Sequence, residues 1–174
     1  IMAFTSQTFS ALEQPTLAKW NILNSNDDDL NARLNTIETL DWVSYTPTLT
    51  NLTVGNGTLR AKYMRQSKIC TVRFVFTFGT TSSMGTDPTL SLPFTSVALA
   101  AGANIMQEGV CALLDQNTGN YYYGYFAASS TTTRMIRTSN VGITYPLVAQ
   151  ITSTVPMTWA NLDQIAGQFT YDIA

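Results

Sequence analysis

Between Thr58 and Phe78 the chain alternates apolar and polar positions twice, with a short polar break between the two runs. In the first run Leu59, Ala61 and Tyr63 share one side, opposite Thr58, Arg60, Lys62 and Met64. In the second, Cys70, Val72, Phe74, Phe76 and Phe78 lie opposite Ile69, Thr71, Arg73, Val75 and Thr77. A hairpin closed over Arg65-Gln66-Ser67-Lys68 sets Tyr63 against Cys70, Ala61 against Val72 and Leu59 against Phe74. Both apolar sets then land on one side of a sheet. A row of phenylalanines needs a layer above it, so the pattern predicts a two-sheet β structure.

Further strands are expected at Val43 to Thr50, Thr89 to Leu92, Ala103 to Leu114, Tyr121 to Ala127, Thr133 to Thr138 and Gln164 to Ile173. The last puts Ile165, Gly167, Phe169, Tyr171 and Ile173 on one face. Gly55-Asn56-Gly57, Gly85-Thr86-Asp87-Pro88, Pro93, Asn117-Thr118-Gly119-Asn120, Ser139-Asn140 and Pro156 read as the turns between strands. Short strands so punctuated predict an antiparallel sandwich or jelly roll over 42–174.

Residues 1–41 differ. After an arm without periodicity, Trp20, Leu23, Asp27, Leu30, Leu34, Ile37 and Asp41 recur at spacings of three and four, a coiled-coil-like seam broken by two aspartates. The run Asn24-Ser25-Asn26-Asp27-Asp28-Asp29 suits a cap, so two helices are expected, about 16–23 and 27–40, capped at Ser25 or Asn26. So narrow a stripe buries well only against copies of itself or a host surface, and Trp20, Leu23, Leu30, Leu34 and Ile37 are the expected trimer interface. A helical pair packed on its own domain is the alternative.

Composition sharpens the picture. Only 11% of the 174 residues are charged, whereas threonine, serine and asparagine supply 52. A hydroxyl- and amide-covered surface with 45% apolar residues suits a rigid extracellular or virion β protein and disfavours disorder. The net charge of −2 divides unevenly: six acids against two bases through Asp41, then five acids against seven bases. Neither part is basic enough to imply nucleic acid. No run of about 18 apolar residues exists, so no membrane insertion is expected. Met2 reads as an initiator and no secretory signal follows it, which predicts synthesis in a cytoplasm without the usual route of secretion. Asn51 and Asn56 match glycosylation acceptors but read as turn residues. Cys70 and Cys111 read as buried thiols, with a bridge between them as the minor alternative.

The chain contains no histidine. That removes the usual general base, the commonest metal ligand and the nucleophile triads that need one, so no catalytic residues and no enzyme activity are expected. No dinucleotide or nucleophile-elbow motif is present, and no cofactor is implied. Asn24, Asn26 and Asp28 echo a calcium loop, but Asp29 stands where glycine is needed and Asn35 where glutamate is, so no metal is expected. Asp87, Glu108, Asp115 and Asp163 are the acids from which a glycosidase pair would have to come. Two features suit binding. Tyr121, Tyr122, Tyr123, Tyr125 and Phe126 follow a polar turn with Asp115, Gln116, Asn117 and Asn120, a combination fit for sugar rings and their hydroxyls. The tyrosines are otherwise core or subunit contact. By parity Tyr122, Gly124 and Phe126 form one face with a gap at the glycine, so Asp115, Asn117, Asn120, Tyr122 and Phe126 are the expected glycan ligands. The second feature is the basic cluster of Arg60, Lys62, Arg65, Lys68 and Arg73, with Arg60 expected opposite Arg73. It reads first as a solvated face, with anionic glycan or nucleic acid as its binding alternative.

The stretches Trp42-Val43-Ser44-Tyr45-Thr46-Pro47-Thr48-Leu49-Thr50, Gly55-Asn56-Gly57-Thr58-Leu59-Arg60-Ala61-Lys62-Tyr63 and Thr89-Leu90-Ser91-Leu92-Pro93-Phe94 resemble a β module of tailed-bacteriophage fibre, spike and decoration proteins. Trp159 and Gly167-Gln168-Phe169-Thr170-Tyr171 echo its ending. The resemblance covers about 42–174 and departs at Arg65-Gln66-Ser67-Lys68, where the family often has a glycine turn. It carries over no catalytic residue. It implies a homotrimeric virion protein on the exterior of a tail or capsid, with a jelly-roll-like knob and an N-terminal anchor to other virion proteins. Adhesion to a host-surface glycan is the role expected of it, with a mainly structural capsid decoration or head-fibre role as the alternative.

Overall fold

The computed structural model describes residues 16–38, 41–98, 107–141 and 146–174, without the side chains of 33–38, 140–141 and 146–147. The chain divides into two units, Ile1–Asp41 and Trp42–Ala174.

Among its described residues the first unit holds one helix, α1 (Leu17–Glu38), where the sequence pattern predicts two. The Ser25 hydroxyl donates to the Asn21 carbonyl at 2.9 Å, bonding back into the preceding turn instead of capping a new helix. The polar run therefore lies inside α1, and the loop a calcium site would need is absent there. Along α1 Trp20, Leu23 and Leu30 are exposed. The side chains of Leu34 and Ile37 lie outside the description.

The second unit is mainly antiparallel β: β1 (Val43–Tyr45), β2 (Leu49–Thr53), β3 (Thr58–Gln66), β4 (Ile69–Thr77), β5 (Ser83–Ser91), β6 (Gln107–Asp115), β7 (Asn120–Ala128), β8 (Thr133–Val141), β9 (Pro146–Gln150) and β10 (Gln164–Asp172). They form one sheet in the order β1-β3-β4-β10-β6-β7-β8-β5-β2, with β9 added beside β8. Its end strands β1 and β2 are joined by Thr46-Pro47-Thr48 alone. Four chain steps span at most about 14 Å, so the two edges must approach each other. The sheet is therefore a curled half-barrel that supplies its own second layer. The single strand expected at Val43 to Thr50 is broken at Pro47, which lacks an N–H for the ladder.

The phenylalanine row is core: Cys70, Val72, Phe74 and Phe76 are fully buried, as are Ile165 and Phe169 on β10. Leu52, Leu90 and Ile136, from the far half of the sheet, close the cluster over them. Phe78 stacks on Trp159 at 4.9 Å, and the Trp159 indole N–H donates to the Thr152 carbonyl at 2.9 Å.

The β3–β4 hairpin keeps the expected parity but not the expected register. Tyr63 faces Val72, Ala61 faces Phe74 and Leu59 faces Phe76, because the hairpin closes over Ser67-Lys68 alone. Ser67 takes the left-handed conformation, φ 53°, that a two-residue turn requires. Lys62, and not Arg60, consequently stands opposite Arg73. The turn signal Gly85-Thr86-Asp87-Pro88 lies inside β5. These four residues bulge opposite Asn51, where the β2–β5 register shifts; Asn51 has φ 57°, Asp87 has φ 51°, and the Asn51 amide donates to the Thr86 carbonyl at 2.7 Å. The start expected for β6 at 103–106 lies outside the described residues, and β9 has no counterpart among the expected strands.

Candidate functional site

The β6–β7 hairpin turns on Asp115. Its carboxylate accepts the backbone N–H groups of Asn117 and Thr118 at 3.0 and 3.2 Å, and its carbonyl accepts that of Gly119, whose φ of 74° suits glycine. Asn120 pairs with Asp115 in the ladder, its N–H donating to the Thr118 hydroxyl at 3.4 Å. Asp115 thus builds the turn, while Asn117 and Asn120 lie exposed at the tip.

From this turn Cys111 pairs with Gly124 and Leu113 with Tyr122. Cys111 and Leu113 are buried, so Tyr122, Gly124 and Phe126 face inward with them. Two of the expected glycan ligands are thereby corrected. Phe126 is fully buried, in ring contact with Phe74 at 6.4 Å and Phe169 at 4.7 Å, and Tyr122 is half-buried against the core. The gap at Gly124 is filled: a Cβ there would lie 2.6 Å from the Cys111 sulfur and 3.3 Å from Leu113. The solvent-facing set is the other parity, with Tyr121 72% and Tyr123 49% exposed. Tyr125 shares that parity but is buried; its hydroxyl pKa is raised by burial, with Arg137 and Asp87 as charged neighbours. Pairing β6 with β7 through a buried Cys111 was the signal in the sequence that would have selected this face.

Ladder pairing carries this outer face across five strands in three rows. The first is Thr58, Thr77, Gln164, Leu114 and Tyr121. The second is Arg60, Val75, Ala166, Ala112 and Tyr123. The third is Lys62, Arg73, Gln168, Val110 and Tyr125. The rows hold three cations and no carboxylate. Arg73 is held by its Nε–H on the Gln168 side-chain oxygen at 3.0 Å, with its guanidinium 4.2 Å from the centre of the Trp42 ring. Arg60 and Lys62 are exposed and have no ion-pair partner among the described residues. A recess of about 220 Å³ lies at the β3–β4 end, lined by Thr58, Arg60, Val75 and Thr77. Of the other cations in the basic cluster, Arg65 lies over the Phe94 ring and Lys68 reaches the Ala174 carbonyl.

The four acids are dispersed among structural tasks. Asp163 is buried and accepts the N–H groups of Gln116 and Ala160, at 2.9 and 2.6 Å. Asp87 pairs with Arg137 at 3.2 Å and accepts the Gln150 amide at 2.6 Å. Glu108 takes Arg134 with both oxygens, and the Arg134 Nη1 donates to the Ser130 and Thr133 carbonyls at 2.7 and 2.9 Å. A smaller recess of about 140 Å³ beside that pair, lined also by Tyr171 and Val97, therefore borders a guanidinium already committed within the chain. No group of three or more metal-ligating side chains occurs among the described residues. No described helix is long and apolar enough to cross a membrane.

Both thiols are free and buried. Cys70 pairs with Tyr171 and Cys111 with Gly167, four positions apart on β10. That offset is about 13 Å along the strand, beyond the separation a disulfide tolerates. Burial pushes the Cys111 thiol up to about 12 and raises Cys70 as well.

No family model, no curated protein and no solved structure matches this chain.

Proposed function

We propose that the chain is a tailed-bacteriophage virion protein, a homotrimeric tail fibre or receptor-binding protein that adheres to host-surface glycan. In this reading α1 is a coiled-coil-like stalk joining three copies and anchoring them to other virion proteins, and 42–174 is a jelly-roll-like knob presenting the outer face of its sheet. The observation that carries it is the exposure of Trp20, Leu23 and Leu30 along one helix at coiled-coil spacing, a stripe that one chain leaves open to water. The resemblance of 42–174 to phage fibre and decoration modules supports the setting. The absence of histidine and the separate structural duties of Asp87, Glu108, Asp115 and Asp163 support a binding role over a hydrolytic one.

Light scattering of the full chain tests the assembly. The expected mass is about 57 kDa, three copies of a 19.1 kDa chain, and Leu23→Asp together with Leu30→Asp is expected to return it to one copy. A monomer of the unaltered chain at micromolar concentration contradicts the reading. A trimer that binds no host-surface polysaccharide favours the capsid-decoration role instead.

A further inference from the structure

We propose that the outer face between Arg60 and Tyr123 is a binding site for an acidic polysaccharide, with pyranose rings laid on Tyr121 and Tyr123 and carboxylates met by Arg60 and Lys62. The proposal rests on the adhesion reading and adds the ligand's chemistry and its place on the knob.

Three features select that ligand. First, the cations at the β3–β4 end have no acid in the three rows to neutralise them, so the face complements negative charge. Second, two exposed tyrosines two positions apart on one strand stand about 7 Å from each other, and between Tyr123 and Arg60 the row holds Ala112, Ala166 and Val75, the two small alanines giving a low floor beside the tyrosine. Aromatic faces beside such a floor accept the C–H faces of sugar rings, while the Gln164 and Gln168 amides offer hydroxyl partners. Third, the recess of about 220 Å³ at Arg60 is smaller than the roughly 300–1,000 Å³ of pockets that engulf a small molecule. From β3 to β7 the face runs four strand spacings, about 19 Å, so it suits a chain laid across the strands. Nucleic acid fits less well: the protein carries a net charge of −2, and the face offers only three cations against a continuous phosphate backbone.

The test uses the whole 174-residue chain, with light scattering run on every sample. Binding is measured to polygalacturonate, alginate and hyaluronan, to methyl-esterified polygalacturonate, and to a single-stranded oligonucleotide. At least one carboxylated polymer is expected to bind, and more weakly as salt rises. Arg60→Gln should lower that affinity about ten-fold, the loss of one charge-assisted hydrogen bond, and should leave the weaker binding of the esterified polymer unchanged. Tyr123→Ala should lower both by about two- to ten-fold. Binding to none of the three carboxylated polymers by a chain that remains trimeric overturns the site and leaves the trimer standing. Equal binding of the esterified polymer overturns the acidic ligand, and preference for the oligonucleotide overturns the glycan. A change of mass in Tyr123→Ala assigns the face to subunit contact and overturns the proposal. A monomeric wild-type chain that still binds through Arg60 and Tyr123 sustains the site while the assembly reading fails.

Discussion

The two sides of the sheet treat the same kinds of residue in opposite ways. On the inner side Phe126 is enclosed by Phe74 and Phe169, and the cation Arg134 is fully buried with both oxygens of Glu108 upon it. On the outer side of the same strand Tyr121 and Tyr123 meet water, and Arg60 and Lys62 on β3 have no ion-pair partner among the described residues. The inner aromatics and cation are fixed by the fold; on the outer side Tyr125 and Arg73 are likewise held, while Tyr121, Tyr123, Arg60 and Lys62 are left exposed. Residue type therefore identifies neither role; the side of the sheet narrows it, with Tyr125 as a buried exception on the outer side.

The largest effect expected from breaking this contrast is at Arg134. Glu108→Gln strands a buried guanidinium and should cost about 3–5 kcal/mol in chemical denaturation, whereas replacing the pair with Leu and Met should recover much of it. Phe126→Ala should cost about 3–5 kcal/mol, while Tyr123→Ala, on the opposite side of the same strand, should stay within about 0.5 kcal/mol. Equal losses would erase the distinction between the faces. Gly124→Ala forces a methyl group against the Cys111 sulfur and should cost about 1–3 kcal/mol. A double-mutant cycle with Cys111→Ala should show the two losses failing to add.

Alkaline titration sharpens the contrast more gently. The Cys111 thiol, pushed up to about 12 by burial, is protonated in the folded chain where the unfolded chain's thiol ionises near its ordinary value. Its contribution is thus complete below the ordinary thiol range and lost as pH rises through about 12. Burial raises Tyr45 and Tyr171 in the same direction. Stability should fall from about pH 9 upward, and both cysteines should resist a thiol reagent at pH 8 until the chain unfolds.

The sequence made parity legible and position less so. The alternation of Cys70 to Phe78 and of Ile165 to Ile173 is the observed core face, because period two is enforced along the whole strand. The hairpin register moved by two residues because Ser67 adopts a positive φ without the glycine that would have announced it. Turn residues at Gly85 to Pro88 served a bulge, since such residues meet any local demand for unusual backbone. At α1, capping chemistry in Ser25 lost to continuation of the helix through its bond to Asn21. For the candidate site, period two puts Tyr121, Tyr123 and Tyr125 on one face, but which side that face takes depends on Cys111 across the hairpin. The curl that joins β1 to β2 rests on contacts distant in sequence, beyond the reach of a local pattern.

Covalent tyrosine labelling of the whole chain, read by mass spectrometry with and without a saturating amount of whichever carboxylated polymer binds it, tests most directly whether the outer face is a ligand surface. Tyr121 and Tyr123 should label in the free protein and be protected by the polymer, while buried Tyr125 and Tyr171 stay unlabelled in both states. Protection of Tyr121 and Tyr123 before any polymer is added, or labelling that the polymer leaves unchanged, would contradict the account.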